Sequence, residues 1–366
     1  MLTGLRGLPG VGYRARVVHG GRAVAALSDD VERLARRVGA GVAGSPAWTF
    51  PSVTSASDTL WAVTVRSTMG ALVAVAVLMD VTRGGERVAT LAGSDGGYRS
   101  ALLATDGPAE LLLCDALASE FVHKGAAVNL GPVTHAGGVL HDLSERLPNC
   151  ELIAAEPIPH LRRGMSADLD SYLSSNMRRN LRKARNRLAS DGIVPSVEFI
   201  SDSPRMVHLL PVMEVAYRNR DHEAGRVGLL DSAAGRSAWR QRVLALLDAG
   251  YGEVAALFLD HVFAAYVLGV RDGTWYGIRE GRFATSLARY APGRLLEAAV
   301  VQRVLGDPLL DGVDWMSGVA PDSLLATNGA SSTMRLVSRR LVNPLGREHP
   351  PRQRWSDEVQ AQLASK

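Results

Sequence analysis

A chain of 366 residues is longer than one hydrophobic core ordinarily supports, so two units of ordinary size are expected. With 46% hydrophobic and 21% charged residues and a formal net charge of +4, the composition is that of a folded globular protein, which excludes a largely disordered or strongly acidic chain. The first 21 residues hold no apolar leader core, and the longest apolar run, 71–79, is about half the ~20 residues that a spanning helix needs. No export signal and no membrane span are therefore read, and a cytoplasmic location is expected. Two cysteines, Cys114 and Cys150, are too few for a disulfide framework, and the nine histidines show no ligand spacing, so no metal site is expected.

In chain order, residues 30–38 read as a short helix and Ser45-Pro46-Ala47-Trp48 starts a new segment. Three β-type runs follow at 61–66, 72–81 and 87–91, separated by Met69-Gly70 and Gly84-Gly85, which predicts an antiparallel meander. Asp106-Gly107-Pro108 opens a helix to about Lys124, with Pro108 suited to its first turn. A strand at 127–130, a helix at 138–147 and a strand at 151–158 complete the first half.

The second half repeats the plan. Residues 166–190 predict a long helix, with Leu169, Leu173, Met177, Leu181, Ala184 and Leu188 on one stripe. A strand at 194–200 and helices at 204–218 and 238–248 follow, the helices flanking a polar loop that carries Asp221, His222 and Glu223. A second meander is expected at 253–259, 262–270 and 274–278, joined by the Asp260-His261 and Arg271-Asp272-Gly273 turns. Ala291-Pro292-Gly293 then leads into a helix, and strands at 313–317 and 335–342 close the unit. The expected fold class is α/β, two tandem units over 1–158 and 159–345, each a mixed, mostly antiparallel sheet flanked by helices, with a tail over 346–366.

Two features carry chemistry. A strand feeding a glycine turn and then a helix leaves backbone N–H groups and the positive end of the helix dipole facing outward, an anion site suited to a pyrophosphate. Ala291, Gly293, Arg294 and Leu295 stand at that junction, where Gly293 permits close approach of a ligand and Arg294 adds a phosphate contact. The same residues also fit an ordinary helix start. The other feature is the run 178–187, in which six of ten residues are Arg or Lys. Its apolar stripe must pack inward, so Arg178, Arg182 and Arg185 project outward to meet donor phosphates, a tRNA backbone or water.

The stretch from Leu287 through Tyr290-Ala291-Pro292-Gly293-Arg294 to Leu296, which follows a Trp-Tyr strand and precedes Val313-Asp314-Trp315, resembles the GNAT family grouped around cellulose-biosynthesis acetyltransferase-like proteins, which is related in fold to the FemABX aminoacyl transferases. The basic helix beginning Tyr172-Leu173-Ser174-Ser175-Asn176-Met177 and the early Ser45-Pro46-Ala47-Trp48 are similar to that family as well, and the resemblance spans about 45–345. The chain departs from the family at Ser317-Gly318-Val319-Ala320-Pro321-Asp322-Ser323, where relatives carry a Gly-Asp-Glu-Pro-Tyr-Lys-like segment, so roles that relatives place there are not carried over.

The resemblance implies two GNAT-like domains, the first a degenerate copy, and an acceptor amine attacking acyl-CoA as co-substrate, or an aminoacyl-tRNA, in a ternary complex. The central strand, here Tyr276, Gly277 and Ile278, then polarises the acyl carbonyl. Base candidates are Glu223, His222 and Asp221 in the polar loop and Glu280 beyond the strand, and Tyr290 is the leaving-group acid candidate. For each of these a solvated surface role is the competing reading. The expected partners are a small-molecule amine acceptor and, under the second donor, tRNA. A catalytically silent GNAT-fold binding protein is the remaining alternative.

Overall fold

The computed structural model describes residues 12–50, 59–94, 101–134, 138–316 and 324–338. The departing segment 317–323 and the tail 346–366 lie outside the described residues.

The first part of the chain runs β1 (Tyr13–His19), α1 (Gly21–Ala25), α2 (Ser28–Val38), α3 (Pro46–Thr49), β2 (Leu60–Ser67), β3 (Leu72–Arg83), β4 (Glu86–Leu91), β5 (Leu103–Ala104), α4 (Gly107–Lys124), β6 (Ala127–Thr134), α5 (Val139–Arg146) and β7 (Cys150–Ala154). The second continues with β8 (Ile158–Arg162), α6 (Ser175–Ser190), β9 (Pro195–Ile200), α7 (Ser203–Glu223), α8 (Ala233–Asp248), β10 (Gly252–Leu259), β11 (Val262–Asp272), β12 (Trp275–Phe283), α9 (Pro292–Gly306), β13 (Gly312–Asp314), β14 (Gly329–Ser331) and β15 (Thr333–Ser338).

Among the described residues these strands form two sheets. One has the order β1-β2-β3-β4-β6-β15-β7, with β5 beside β3, and the other the order β14-β8-β13-β12-β11-β10-β9. Read from β1 and from β9, the two orders superimpose strand for strand. In each, a meander is followed by a helix (α4 or α9) and a strand parallel to the last meander strand: β4 with β6, β12 with β13. All other pairings are antiparallel. The chain is thus a mixed α/β protein of two tandem units with the same plan.

Both faces of each sheet are covered, which is why β3 and β11 read as near-continuous apolar runs rather than alternating ones. In the first sheet α4 and α5 pack on one face around Leu113, Leu117 and Phe121, and α2 on the other around Val31 and Leu34. In the second, α6 and α9 bury Leu181, Leu188, Leu296 and Val301 on one face, and α7 and α8 bury Met206, Met213, Trp239 and Val243 on the other. A small cluster of Val42, Ala47, Trp48, Leu246, Val270 and Met316 joins the two units.

The two sheets exchange ends, contrary to the sequence expectation. The strand expected at 151–158 is two strands, β7 in the first sheet and β8 in the second. The closing strand expected at 335–342 lies at Thr333–Ser338 and inserts between β6 and β7 of the first sheet, not the second. The helix expected at 166–190 starts at Ser175, where the Ser174 hydroxyl accepts the Met177 N–H at 3.1 Å and caps it.

Candidate active site

The second sheet forks beside β12. Its parallel pairing with β13 covers only Trp275 to Gly277, opposite Gly312 to Asp314, while β12 itself runs on to Phe283. β13 ends there and Trp315 gives its N–H to Pro159, so the two strands part beyond Gly277. On the other edge of β12 the register slips: Gly269 faces Ile278 but Leu268 faces Glu280, leaving Arg279 as an extra, unregistered residue. Of the residues expected to polarise the acyl carbonyl, Tyr276 and Gly277 lie before the fork and Ile278 is the first beyond it. The Tyr276 side chain is core: its hydroxyl meets Glu253 at 3.2 Å, and burial pushes its pKa up.

The start of α9 lies close to both strands beyond the fork, with Gly293 beside Phe283 of β12 and Glu297 bonded to Trp315 after β13. Ala291 at its N-cap adopts φ 50°, and no side chain caps the helix. Pro292 has no N–H, and the Arg294 and Leu295 amides both bond to the Ala291 carbonyl at 3.1 Å. Among the described residues the Gly293 amide has no protein acceptor, so of the amides expected to greet an anion it is the one left over, at the positive end of a 15-residue helix. A Cβ on Gly293 would stand 3.3 Å from the Phe283 ring, which would have to give by a few tenths of an ångström. Arg294 is held by Glu297 at 2.9 Å, and Glu297 in turn accepts the Trp315 indole N–H at 2.6 Å. Burial raises the Glu297 carboxyl above its ordinary pKa, and Arg294 works against that rise.

Tyr290 is buried just before this turn. Its hydroxyl donates to Asp191 at 2.7 Å and receives Arg289, and the Asp191 bond raises its pKa. Arg187 donates to the Arg289 carbonyl, so the end of α6 is tied to the α9 start. The basic face of α6 is exposed as expected: Arg178, Arg182 and Arg185 form no ion pair among the described residues, nor do Arg179 and Lys183.

The expected polar loop is the last turn of α7, which reaches Glu223. The structure separates its residues. Glu223 is exposed; His222 meets Asp231 at 2.8 Å; Asp221 is buried, with the Arg282 guanidinium 3.5 Å away. Glu280 sits on the forked half of β12, where one carboxylate oxygen accepts the Trp239 indole N–H at 2.8 Å and the Tyr266 hydroxyl at 3.0 Å. Arg282, two residues on, stacks on Tyr217 at 4.3 Å. Arg279, Arg282, Glu297 and Trp315 were missed by sequence reading. Alternating charges at 280 and 282 on a strand and the Arg294-x-x-Glu297 spacing were the available signals for part of this set.

The family model described as "Acetyltransferase (GNAT) domain" matches residues 175–321, from α6 to just past β13. These residues are a GNAT domain. That match encloses the fork, the α9 start and the basic helix. The whole chain is similar in fold to FemX, at 11% identity and a TM-score of 0.54 over 96% of this chain and 100% of that one. It is similar also to L-PGS from Bacillus licheniformis, at 12% identity and a TM-score of 0.51 over 92% and 97%. A third likeness is to a conserved protein of unknown function from Bacteroides thetaiotaomicron VPI-5482, at 11% and 0.54 over 86% and 97%. No curated protein matches by sequence. Among the described residues there is no group of three or more potential metal ligands, and no helix is long and apolar enough to cross a membrane.

Proposed function

We propose that the chain transfers an acyl group from a CoA thioester to the primary amine of a small molecule by direct attack within a ternary complex. One observation carries this reading: β12 parts from β13 beyond Gly277, and the α9 start that approaches β12 at Phe283 has no side-chain cap and a Gly293 amide left for a ligand. An anionic donor lies with phosphate oxygens at Gly293 and Arg294, and its acyl carbonyl accepts from the β12 backbone beyond Gly277, near the Arg279 bulge. The amine nitrogen forms the new C–N bond as the C–S bond breaks and the thiolate departs with its electron pair. Glu280 takes the amine proton; it is the base candidate on the forked strand, whereas His222 is turned to Asp231 and Glu223 projects from the end of α7. Tyr290, whose proton already goes to Asp191, ties α6 to the donor turn, and the leaving thiolate takes its proton from solvent. The unit over 159–345, apart from β15, is the donor-binding one, and that over 1–158 is a non-binding copy. A cytoplasmic location fits a CoA-dependent reaction.

The exposed basic face of α6 favours a second donor, an aminoacyl-tRNA, in keeping with the likeness to FemX. Thermal shift against acetyl-CoA, longer acyl-CoAs and a charged tRNA pool separates the readings. A ligand at a hundred times its Kd stabilises the fold by about 2.7 kcal/mol. Response to CoA thioesters alone upholds the first reading, a salt-sensitive response to tRNA alone the second, and no response to either marks a silent binding protein.

A further inference from the structure

We propose that Trp48, supplied by the first unit, is a positioning residue for acyl transfer in the second: it braces the Arg279 bulge where β12 leaves β13. The inference rests on the reading of that fork as the transfer site. It gives a role to the Ser45-Pro46-Ala47-Trp48 motif, which the donor and acceptor roles leave unused.

The motif builds a rigid peg. The Ser45 hydroxyl accepts the Trp48 N–H at 3.3 Å, the Thr49 hydroxyl returns to the Ser45 carbonyl at 3.0 Å, and Pro46 fixes the first turn of α3. Gly93, at φ 84°, backs the indole so closely that a Cβ there would stand 2.7 Å from it. The seam around the peg is pinned as well: the Val42 N–H reaches Asp272 at 3.0 Å and the Tyr251 hydroxyl reaches Glu32 at 3.2 Å.

The indole, 1% exposed, lies over the fork itself. Trp48 packs with Val270 and Met316. Val270 is in register with Gly277, and Gly277 with Asp314, the last β12–β13 pair. Two residues beyond that pair stand Arg279 on β12 and Met316 after β13. The Arg279 guanidinium sits 5.3 Å from the Trp48 ring, its side chain 7% exposed. The first unit therefore meets the β12 arm of the fork through the Trp48 ring and shares a buried cluster with Met316 on the other arm.

The test uses full-length protein with Trp48→Phe, Trp48→Leu and, as a seam-packing control, Leu246→Ala. The Arg279 and Ile278 amide resonances are followed in 15N spectra, and thiol release from acetyl-CoA is measured with a panel of primary amines. In Trp48→Leu both resonances move and turnover falls about 100-fold, the cost of a displacement of about 1 Å at a reacting centre, while acetyl-CoA affinity stays within about twofold. Trp48→Phe, which keeps a smaller ring beside Arg279, moves both resonances by a smaller but measurable amount and lowers turnover less, and Leu246→Ala lowers Tm without moving either. The proposal is overturned if a folded Trp48→Leu keeps both resonances in place, or if Leu246→Ala shifts them equally; should Trp48→Leu not fold, unmoved resonances in Trp48→Phe overturn it too. If the wild type releases no thiol, the acyl-CoA reading fails, while the resonances still decide the brace.

Discussion

The two sheets carry the same strand order, yet the helices that follow their meanders start differently. In the first unit the Asp106 carboxylate caps α4, accepting the Ala109 N–H at 2.8 Å and the Tyr13 hydroxyl at 2.8 Å. The protein's own anion fills the position that a phosphate would take. In the second unit the equivalent α9 begins at Ala291 with no side-chain cap. The strands differ in the same sense: β4 pairs with β3 without a slip and ends at Leu91, one residue beyond its pairing with β6, whereas β12 bulges and runs on to Phe283. The same plan thus carries one helix start capped by its own carboxylate and one with no side-chain cap.

The comparison is broken most severely by closing the open end. Gly293→Asp sets a carboxylate against the donor phosphates, and we expect calorimetry to show acetyl-CoA affinity reduced by more than about 100-fold, some ~2.7 kcal/mol, with the fold retained. Unchanged affinity would remove the site from α9. Glu280→Gln keeps acceptors for Trp239 and Tyr266 but cannot take a proton, so kcat should fall by about 100-fold with donor affinity intact. Full activity in this variant would return the base to His222 or Glu223.

Opening the closed end is the converse experiment. Asp106→Ala should cost about 1 kcal/mol in denaturant unfolding, the usual worth of an N-cap, and leave donor stoichiometry at one per chain. A second bound donor would show that the cap alone separates the units. The smallest effect concerns His19, whose pKa is lowered by burial and then by Lys124. The unfolded chain takes up this proton first on acidification, so its share of stability is present above about pH 6.5 and declines as pH falls toward the folded-state value. His19→Gln should flatten that part of the stability curve, and an unchanged slope would assign it to other groups.

Much of this was legible in the sequence because it is local. The apolar runs of β3 and β11, the Asp106-Gly107-Pro108 start of α4, the Pro292-Gly293 turn and the outward cations of α6 all follow from spacing within one element, whereas the α6 start, at Ser175, falls later than its spacing predicts. What was hidden is long-range. β15 belongs to the first sheet because its partners lie some two hundred positions earlier, and no periodicity records that. The Arg279 bulge depends on the register against β11, and the role of Trp48 on a contact between units. Asp106 was visible as a helix opener, but its meaning as a closed anion site emerges only when α4 is set beside α9.

The most direct test of the central claim compares two amides. In 15N spectra of the full chain titrated with CoA, the Gly293 resonance should move saturably as its N–H gains a phosphate acceptor, while the Ala109 resonance, already bonded to Asp106, stays fixed. A stationary Gly293 with CoA bound elsewhere on the chain would contradict the account.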